Sequence, residues 1–335
     1  MQAGKQALHV LNSGQFDRAS LEYLFRLTDT IRQFNKSKEG MLYLASLLSH
    51  KRVMLYFTQP STRTFLSFQS ACHILGTRTS EIRDQSVSSE KKGESIEDSL
   101  RTFSSYVDLI IMRSPVAGLC ERIASLLDET PRPVPVINAG SGPDEHPTQA
   151  LLDLYTLHRC FQNKGGIDKK RICMVGDLRR GRTIRSLSKI LANFNDIELI
   201  FCSPEEFKIQ DDLRQFLKQQ DQIRFVETTD FKAAIRDVDA IYMTRIQDEY
   251  DDNQESSGID ISKYCLKVEN LKDIRDDSII LHPMPRRQEL DPAIDSDPRA
   301  MYWRQERNGM WTRVALMTKT LRVDHKILHP ELRGQ

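Results

Sequence analysis

A chain of 335 residues is longer than one ordinary domain and fits two of roughly 150 residues each. Forty-eight Lys and Arg against 47 Asp and Glu leave a net charge of +1, so there is no global field to favour nucleic acid or a membrane surface, and any anion site must be a local cluster. The longest apolar runs, such as Leu109–Met112, are far too short to span a bilayer, and no apolar stretch follows the N-terminus to act as a secretory leader.

Short apolar runs rich in β-branched residues recur along the chain, each followed by an amphipathic stretch. In the first half these are Arg52–Phe57, the more polar Thr77–Arg83, Asp108–Met112 and Val134–Ala139. In the second half they are Arg171–Gly176, Ile197–Cys202, Arg224–Glu227, Ala240–Thr244 and Ser278–His282. Thr64–Gly76, Ser95–Tyr106, Thr148–Gln162, Thr183–Asn193 and Asp211–Gln220 read as intervening helices. Strands alternating with helices predict an α/β fold of two doubly wound domains, each with a central parallel sheet covered on both faces. Gln162–Lys170, with Gly165 and Gly166, is the best break between the two strand–helix series. The domains are expected at 1–147 and 148–309, joined by the helix of Thr148–Gln162, with a C-terminal helix near 310–335 packing back on the first. Six scattered cysteines without a C-x-x-C pair read as reduced, mostly buried thiols in a cytosolic setting.

In open parallel sheets ligands bind beyond the carboxyl ends of the strands, and polar motifs stand at those ends. Gln59-Pro60-Ser61-Thr62-Arg63-Thr64 lies between a strand and a helix, where hydroxyls, free N–H groups and an arginine can form an anion site. The same residues also suit an ordinary helix start, with Ser or Thr as N-cap. Ser88–Ser95 reads by itself as a charged, solvated loop. Arg113 directly follows the apolar strand 109–112, as a surface residue or one facing the expected cleft, and His146-Pro147-Thr148-Gln149 heads the interdomain helix, where His146 suits either a stray cap-region histidine or a donor to a substrate oxygen. Gly176–Thr183 nearly matches the phosphate loop G-x-x-x-x-G-K-[ST], with Arg182 in place of the lysine; an arginine there suits a carboxylate equally well. Arg245, in Thr244-Arg245-Ile246-Gln247, can clamp a carboxylate with two parallel hydrogen bonds. In His282-Pro283-Met284-Pro285-Arg286 two prolines hold an extended loop whose carbonyls can accept from an amine.

Taken in order, Ser61-Thr62-Arg63-Thr64, Lys92-Gly93-Glu94, Arg113, His146-Pro147-Thr148-Gln149, Gly176-Asp177 with Gly181-Arg182-Thr183, Thr244–Gln247 and His282–Pro285 resemble the aspartate/ornithine carbamoyltransferase family from about Arg52 to about Leu316. Arg245-Ile246-Gln247 and His282-Pro283-Met284-Pro285 resemble its aspartate branch rather than its ornithine branch. The resemblance implies carbamoyl transfer from carbamoyl phosphate to the amino group of L-aspartate, with no metal or organic cofactor. It implies that Ser61, Thr62, Arg63 and Thr64 hold the phosphate, and that Thr64, Arg113 and His146 surround the carbonyl oxygen. Gln149 and the carbonyls of Met284 and Pro285 would orient the carbamoyl amide, while Arg182, Arg245 and Gln247 would bind aspartate. It further implies a homotrimer in which a neighbouring subunit supplies Ser88 and Lys92.

Three positions depart from the family pattern. Phe65 and Tyr250 stand where arginine is common, and Gln59 where glutamate is usual. With the charges at 59 and 250 absent, either closure is expected to use other contacts or aspartate binding is expected to be weaker or less cooperative. The alternatives are a carbamoyltransferase for a different amine acceptor and a catalytically silent scaffold paralogue. Regulatory or dihydroorotase-like partner chains are left open, and nucleic-acid binding through Arg179, Arg180 and Arg182 is disfavoured by the short patch and near-zero net charge.

Overall fold

The computed structural model describes residues 7–84, 93–142, 145–246 and 260–329. The chain divides into two compact units, Met1–Thr148 with Gly309–Gln335, and Gln149–Asn308. The expected α/β architecture is the one observed.

The first unit runs α1 (Arg18–Phe34), α2 (Lys38–Leu47), β1 (Arg52–Phe57), α3 (Thr62–Ile74), β2 (Arg78–Ile82), α4 (Ile96–Ser104), β3 (Leu109–Arg113), α5 (Leu119–Asp128) and β4 (Val136–Asn138). Helix α6 (Pro147–Phe161) opens at its end and continues into the second unit. The second unit then runs β5 (Arg171–Val175), α7 (Arg182–Leu191), β6 (Ile197–Cys202), α8 (Asp211–Lys218), β7 (Ile223–Thr228), α9 (Phe231–Ala234), β8 (Ala240–Met243) and β9 (Ile279–Leu281). Helix α10 (Tyr302–Thr320) leads to α11 (His325–Leu328).

The first sheet has the order β2-β1-β3-β4 and the second β7-β6-β5-β8-β9, with parallel pairing throughout. Burial explains which strands were easiest to read. Val53–Phe57 of β1 and all of β3 are buried, as expected for central strands covered on both faces. The edge strand β2 is part-exposed and polar, and edge strand β7 leaves Val226 half exposed. In the first unit Ile110 and Met112 pack with Leu119, Ile123 and Leu127 of α5. In the second, Val175, Cys202, Ile241, Met243 and Ile280 pack with Ile235 and Tyr302.

The end of the chain is built into the first unit. Tyr23 donates its hydroxyl to Asp324, and Tyr43 donates to the Lys326 carbonyl at 2.7 Å. The buried Arg313 of α10 donates to Ser67 Oγ at 2.6 Å, with its guanidinium 5.0 Å from the Phe68 ring centre.

Both strand orders contain a switch point, where neighbouring strands continue to opposite sides. In the first sheet it lies between β1 and β3, and in the second between β5 and β8. At these points the following connections diverge and leave a crevice at the carboxyl edge.

Candidate active site

In the first unit the switch point gathers two of the predicted motifs. Phe57 and Arg113 are register partners at the ends of β1 and β3, and the Gln59 N–H donates to the Arg113 carbonyl at 3.2 Å. Just beyond, Ser61 takes the N-cap position of α3 with an extended backbone, but its side chain makes no capping hydrogen bond. Asp17, Ser37 and Ser95, by contrast, cap α1, α2 and α4 by accepting from backbone N–H groups. The helix-start reading therefore accounts for the position of Ser61 and not for its hydroxyl. Thr62 and Arg63 are exposed in the first turn and Thr64 is buried. The first-turn N–H groups of a helix and its partial positive charge suit an anion at such a helix start.

Arg113 and His146 are brought together by a feature that motif reading missed. Both are buried, and Arg113 Nη1 donates to the Ala139 carbonyl at 3.2 Å. Gly140 lies against both: a Cβ there would stand 2.6 Å from His146 Cδ2 and 2.8 Å from Arg113 Nη1. Its φ of +97° is also in the left-handed region that favours glycine. Asn138 holds this turn by accepting the Gly140 and Ser141 N–H groups at 2.8 Å, while its Nδ2 donates to the Leu11 carbonyl at 2.9 Å. Asn-x-Gly-Ser-Gly directly after an apolar strand was the available signal.

In the second unit Arg182 is the buried first residue of α7, following β5, and Arg245 is half-buried just after the adjacent β8. The two strand ends pack closely. Gly176, at φ +122°, has no room for a Cβ, which would meet the Thr244 carbonyl oxygen at 2.1 Å. The Thr244 N–H and hydroxyl both donate to the Val175 carbonyl, at 2.8 and 3.0 Å. Asp177 is fully buried and accepts from the Arg180 N–H at 3.0 Å, which turns the loop into α7.

The loop after β9 is fixed by His282. Its Nδ1 accepts from the Met284 N–H at 2.8 Å, so Nε2 carries the proton that it shares with Glu289 Oε1, also at 2.8 Å. Glu289 Oε1 also accepts from the Arg287 N–H at 2.8 Å. Burial holds the His282 pKa below its usual value, and the nearby positive charges of Arg286 and Arg245 push the same way, against Glu289. Met284 adopts φ +53° before a cis Met284–Pro285 bond, and both residues are half-buried. Gln149, on α6, is buried and donates to Asp153 at 2.9 Å. Ser88, Lys92, Gln247 and Tyr250 lie outside the described residues.

Residues 8–159 match the family model described as aspartate/ornithine carbamoyltransferase, carbamoyl-P binding domain. Residues 168–320 match its Asp/Orn binding domain. The chain belongs to the aspartate/ornithine carbamoyltransferase family. Among its relatives is the aspartate carbamoyltransferase catalytic subunit of Alkaliphilus metalliredigens, 37% identical over 94% of this chain and 97% of that one. The corresponding subunit of Clostridium novyi is 38% identical over 95% and 99% of the two chains. Among solved carbamoyltransferases, aspartate transcarbamoylase from Trypanosoma cruzi in complex with carbamoyl phosphate and aspartate superposes with a TM-score of 0.85. It is 30% identical and covers 93% of this chain and 96% of that one.

Two expectations follow for this member of the carbamoyltransferase family. Gly140→Ala should displace the Arg113 and His146 side chains and lower kcat by roughly 10- to 100-fold, less than the ~10²–10³ of losing an aligned donor outright, and lower the melting temperature as well, because alanine is strained at this φ. Steady-state kinetics beside a thermal melt check both parts. For His282 the folded pKa is lowered, so the unfolded chain binds the extra proton first. Its contribution to stability is therefore present above the unfolded value of 6.5 and lost as pH falls through the folded one. Urea unfolding of the native chain should lose more stability below pH 6.5 than His282→Asn does; parallel pH profiles would refute the assignment.

Proposed function

We propose that the chain transfers the carbamoyl group of carbamoyl phosphate to the amino group of L-aspartate, giving N-carbamoyl-L-aspartate and phosphate. One observation carries this reading. Ser61–Thr64 and Arg113 stand at the switch point of the first sheet, and Arg182 and Arg245 at that of the second, in a chain 37% identical over 94% of its length to an aspartate carbamoyltransferase catalytic subunit. The solved relative from Trypanosoma cruzi that superposes on it was captured with carbamoyl phosphate and aspartate.

The chemistry needs little beyond placement. Carbamoyl phosphate carries a good leaving group and the free amine is already a nucleophile, so holding them in attack geometry supplies much of the rate. In this reading Ser61, Thr62, Arg63 and Thr64 bind the phosphate at the start of α3. Thr64, Arg113 and His146 donate to the carbonyl oxygen, where negative charge grows as the nitrogen–carbon bond forms. The bond from carbon to the phosphate oxygen then breaks, and the departing phosphate accepts the amine proton. Gln149 and the carbonyls of Met284 and Pro285 orient the carbamoyl amide and the incoming amine. Arg182, Arg245 and Gln247 take the aspartate carboxylates, where a guanidinium matches a carboxylate better than an ammonium does. The reading includes a cytoplasmic homotrimer with Ser88 and Lys92 supplied by a neighbour; sedimentation as a monomer under assay conditions would remove that part. Among the described residues no helix is long and apolar enough to cross a membrane.

Product formation should require carbamoyl phosphate and L-aspartate, with L-ornithine and putrescine at background. Arg113→Ala should lower kcat by ~10²–10³. Arg245→Ala should lower kcat/KM for aspartate by roughly 10- to 100-fold, as expected for losing charged hydrogen bonds. Turnover with another amine would keep the phosphate half and discard the acceptor assignment. Absence of turnover from a folded protein would favour the silent paralogue.

A further inference from the structure

Asp153 is fully buried in α6, on a helix otherwise lined here by Leu151, Leu152, Leu154 and Tyr155. A carboxyl group in such surroundings persists only where donors enclose it. Gln149 Nε2 and Gln305 Nε2 donate to its Oδ1 at 2.9 and 2.7 Å, and the Tyr242 hydroxyl donates to Oδ2 at 2.6 Å. Each donor leads to a segment of the site. Gln305 Oε1 accepts from the His282 N–H at 2.9 Å, at the start of the loop that carries Met284 and Pro285. Tyr242 stands three residues before Arg245 on β8 and also bonds Thr183, next to Arg182. Gln149 lies one turn before Asp153 on the same helix.

We infer that Asp153 is a positioning residue for carbamoyl transfer: its Oδ1 orients the Gln149 amide and, through Gln305, holds the backbone at His282. The inference rests on the function proposed above. The orientations are forced by donor and acceptor type. Because Oδ1 only accepts, Gln149 must turn its NH2 group inward, which leaves Oε1 to accept from the N–H of a carbamoyl group. Because the His282 N–H only donates, Gln305 must present Oε1 to it and NH2 to Asp153. Burial pushes the Asp153 carboxyl up to about 7 against its three donors. Either protonation state preserves the bridge, since a proton on Oδ2 would face the Tyr242 hydroxyl and leave Oδ1 accepting.

Asparagine and leucine at this position separate positioning from packing. An asparagine amide would keep an acceptor at Oδ1 and turn its NH2 towards the Tyr242 hydroxyl, so Asp153→Asn should stay within roughly threefold of the native kcat and KM. Asp153→Leu keeps the branched shape but removes the acceptor. It should lower kcat by ~10- to 100-fold, the usual cost of losing an orienting partner, and raise the KM for carbamoyl phosphate more than that for aspartate. Gln305→Met cuts only the His282 arm, and it should show the same split if Asp153→Leu fails to fold. Carbamoyl phosphate binding by calorimetry keeps this test separate from the acceptor reading. A native protein that binds it without using aspartate counts against the acceptor alone. Folded Asp153→Leu or Gln305→Met that binds and turns over carbamoyl phosphate like the native protein would overturn the inference, as would Asp153→Asn impaired as deeply as Asp153→Leu.

Discussion

The direction of the strands is the constraint on which every other feature of the site depends. In a sheet of parallel strands all carboxyl ends share one edge, and every following helix begins there with unsatisfied N–H groups. A change of winding direction separates two neighbouring connections and leaves room at that edge. The first sheet changes direction between β1 and β3, the second between β5 and β8. Ser61–Thr64 and Arg113 occupy the first switch point, and Gly176–Thr183 and Arg245 occupy the second. A chain with a net charge of only +1 thus concentrates cationic and N–H donors without any global field.

Within that frame the donors are held by short local devices. Gly140 allows an arginine and a histidine to approach a backbone turn more closely than any side chain would permit, and Asn138 fixes the turn with two accepted hydrogen bonds. Gly176 does the corresponding work between β5 and the Thr244 backbone. His282 is committed to one tautomer because the N–H of Met284 occupies Nδ1. In each case backbone and side chain, or backbone and backbone, hold one another in place, which leaves little rearrangement to make when charge develops on a bound oxygen.

The parts of this arrangement that could be read from sequence differ physically from the parts that could not. β1 and β3 announce themselves as apolar runs because they are buried on both faces, whereas β2, with Arg78, Thr79, Ser80 and Glu81, is an edge strand and reads only as a more polar candidate. Arg113 and Arg245 stand out in the sequence because one ends such a run and the other follows β8 by two residues. Tyr242 and Gln305 do not, since their roles come from partners distant in sequence, such as Asp153 and Gln305, 152 positions apart, whereas Asn138 and Gly140 carry a local turn signal that says nothing of the arginine it meets. The only local hint at Asp153 was a lone carboxylate among Ala150, Leu151, Leu152, Leu154 and Tyr155, four residues after Gln149. Such a residue on a buried helix face must find donors elsewhere in the fold, and sequence alone does not name them.

Phe65 illustrates how a departure from the family pattern is absorbed by the fold. An arginine is common at this position, in the first turns of α3, yet here the aromatic ring is buried and meets Phe57 edge-on with ring centres 5.3 Å apart. That contact ties α3 to the end of β1 and so steadies the start of the helix on which Ser61–Thr64 sit. A guanidinium is nonetheless present. Arg83, one residue past β2, places its charged group 4.4 Å from the Phe65 ring centre. This guanidinium comes from the neighbouring strand's end, along the same carboxyl edge of the sheet. Strand direction brings it there, because parallel pairing places the end of β2 beside the end of β1, and position 65 serves packing between the two.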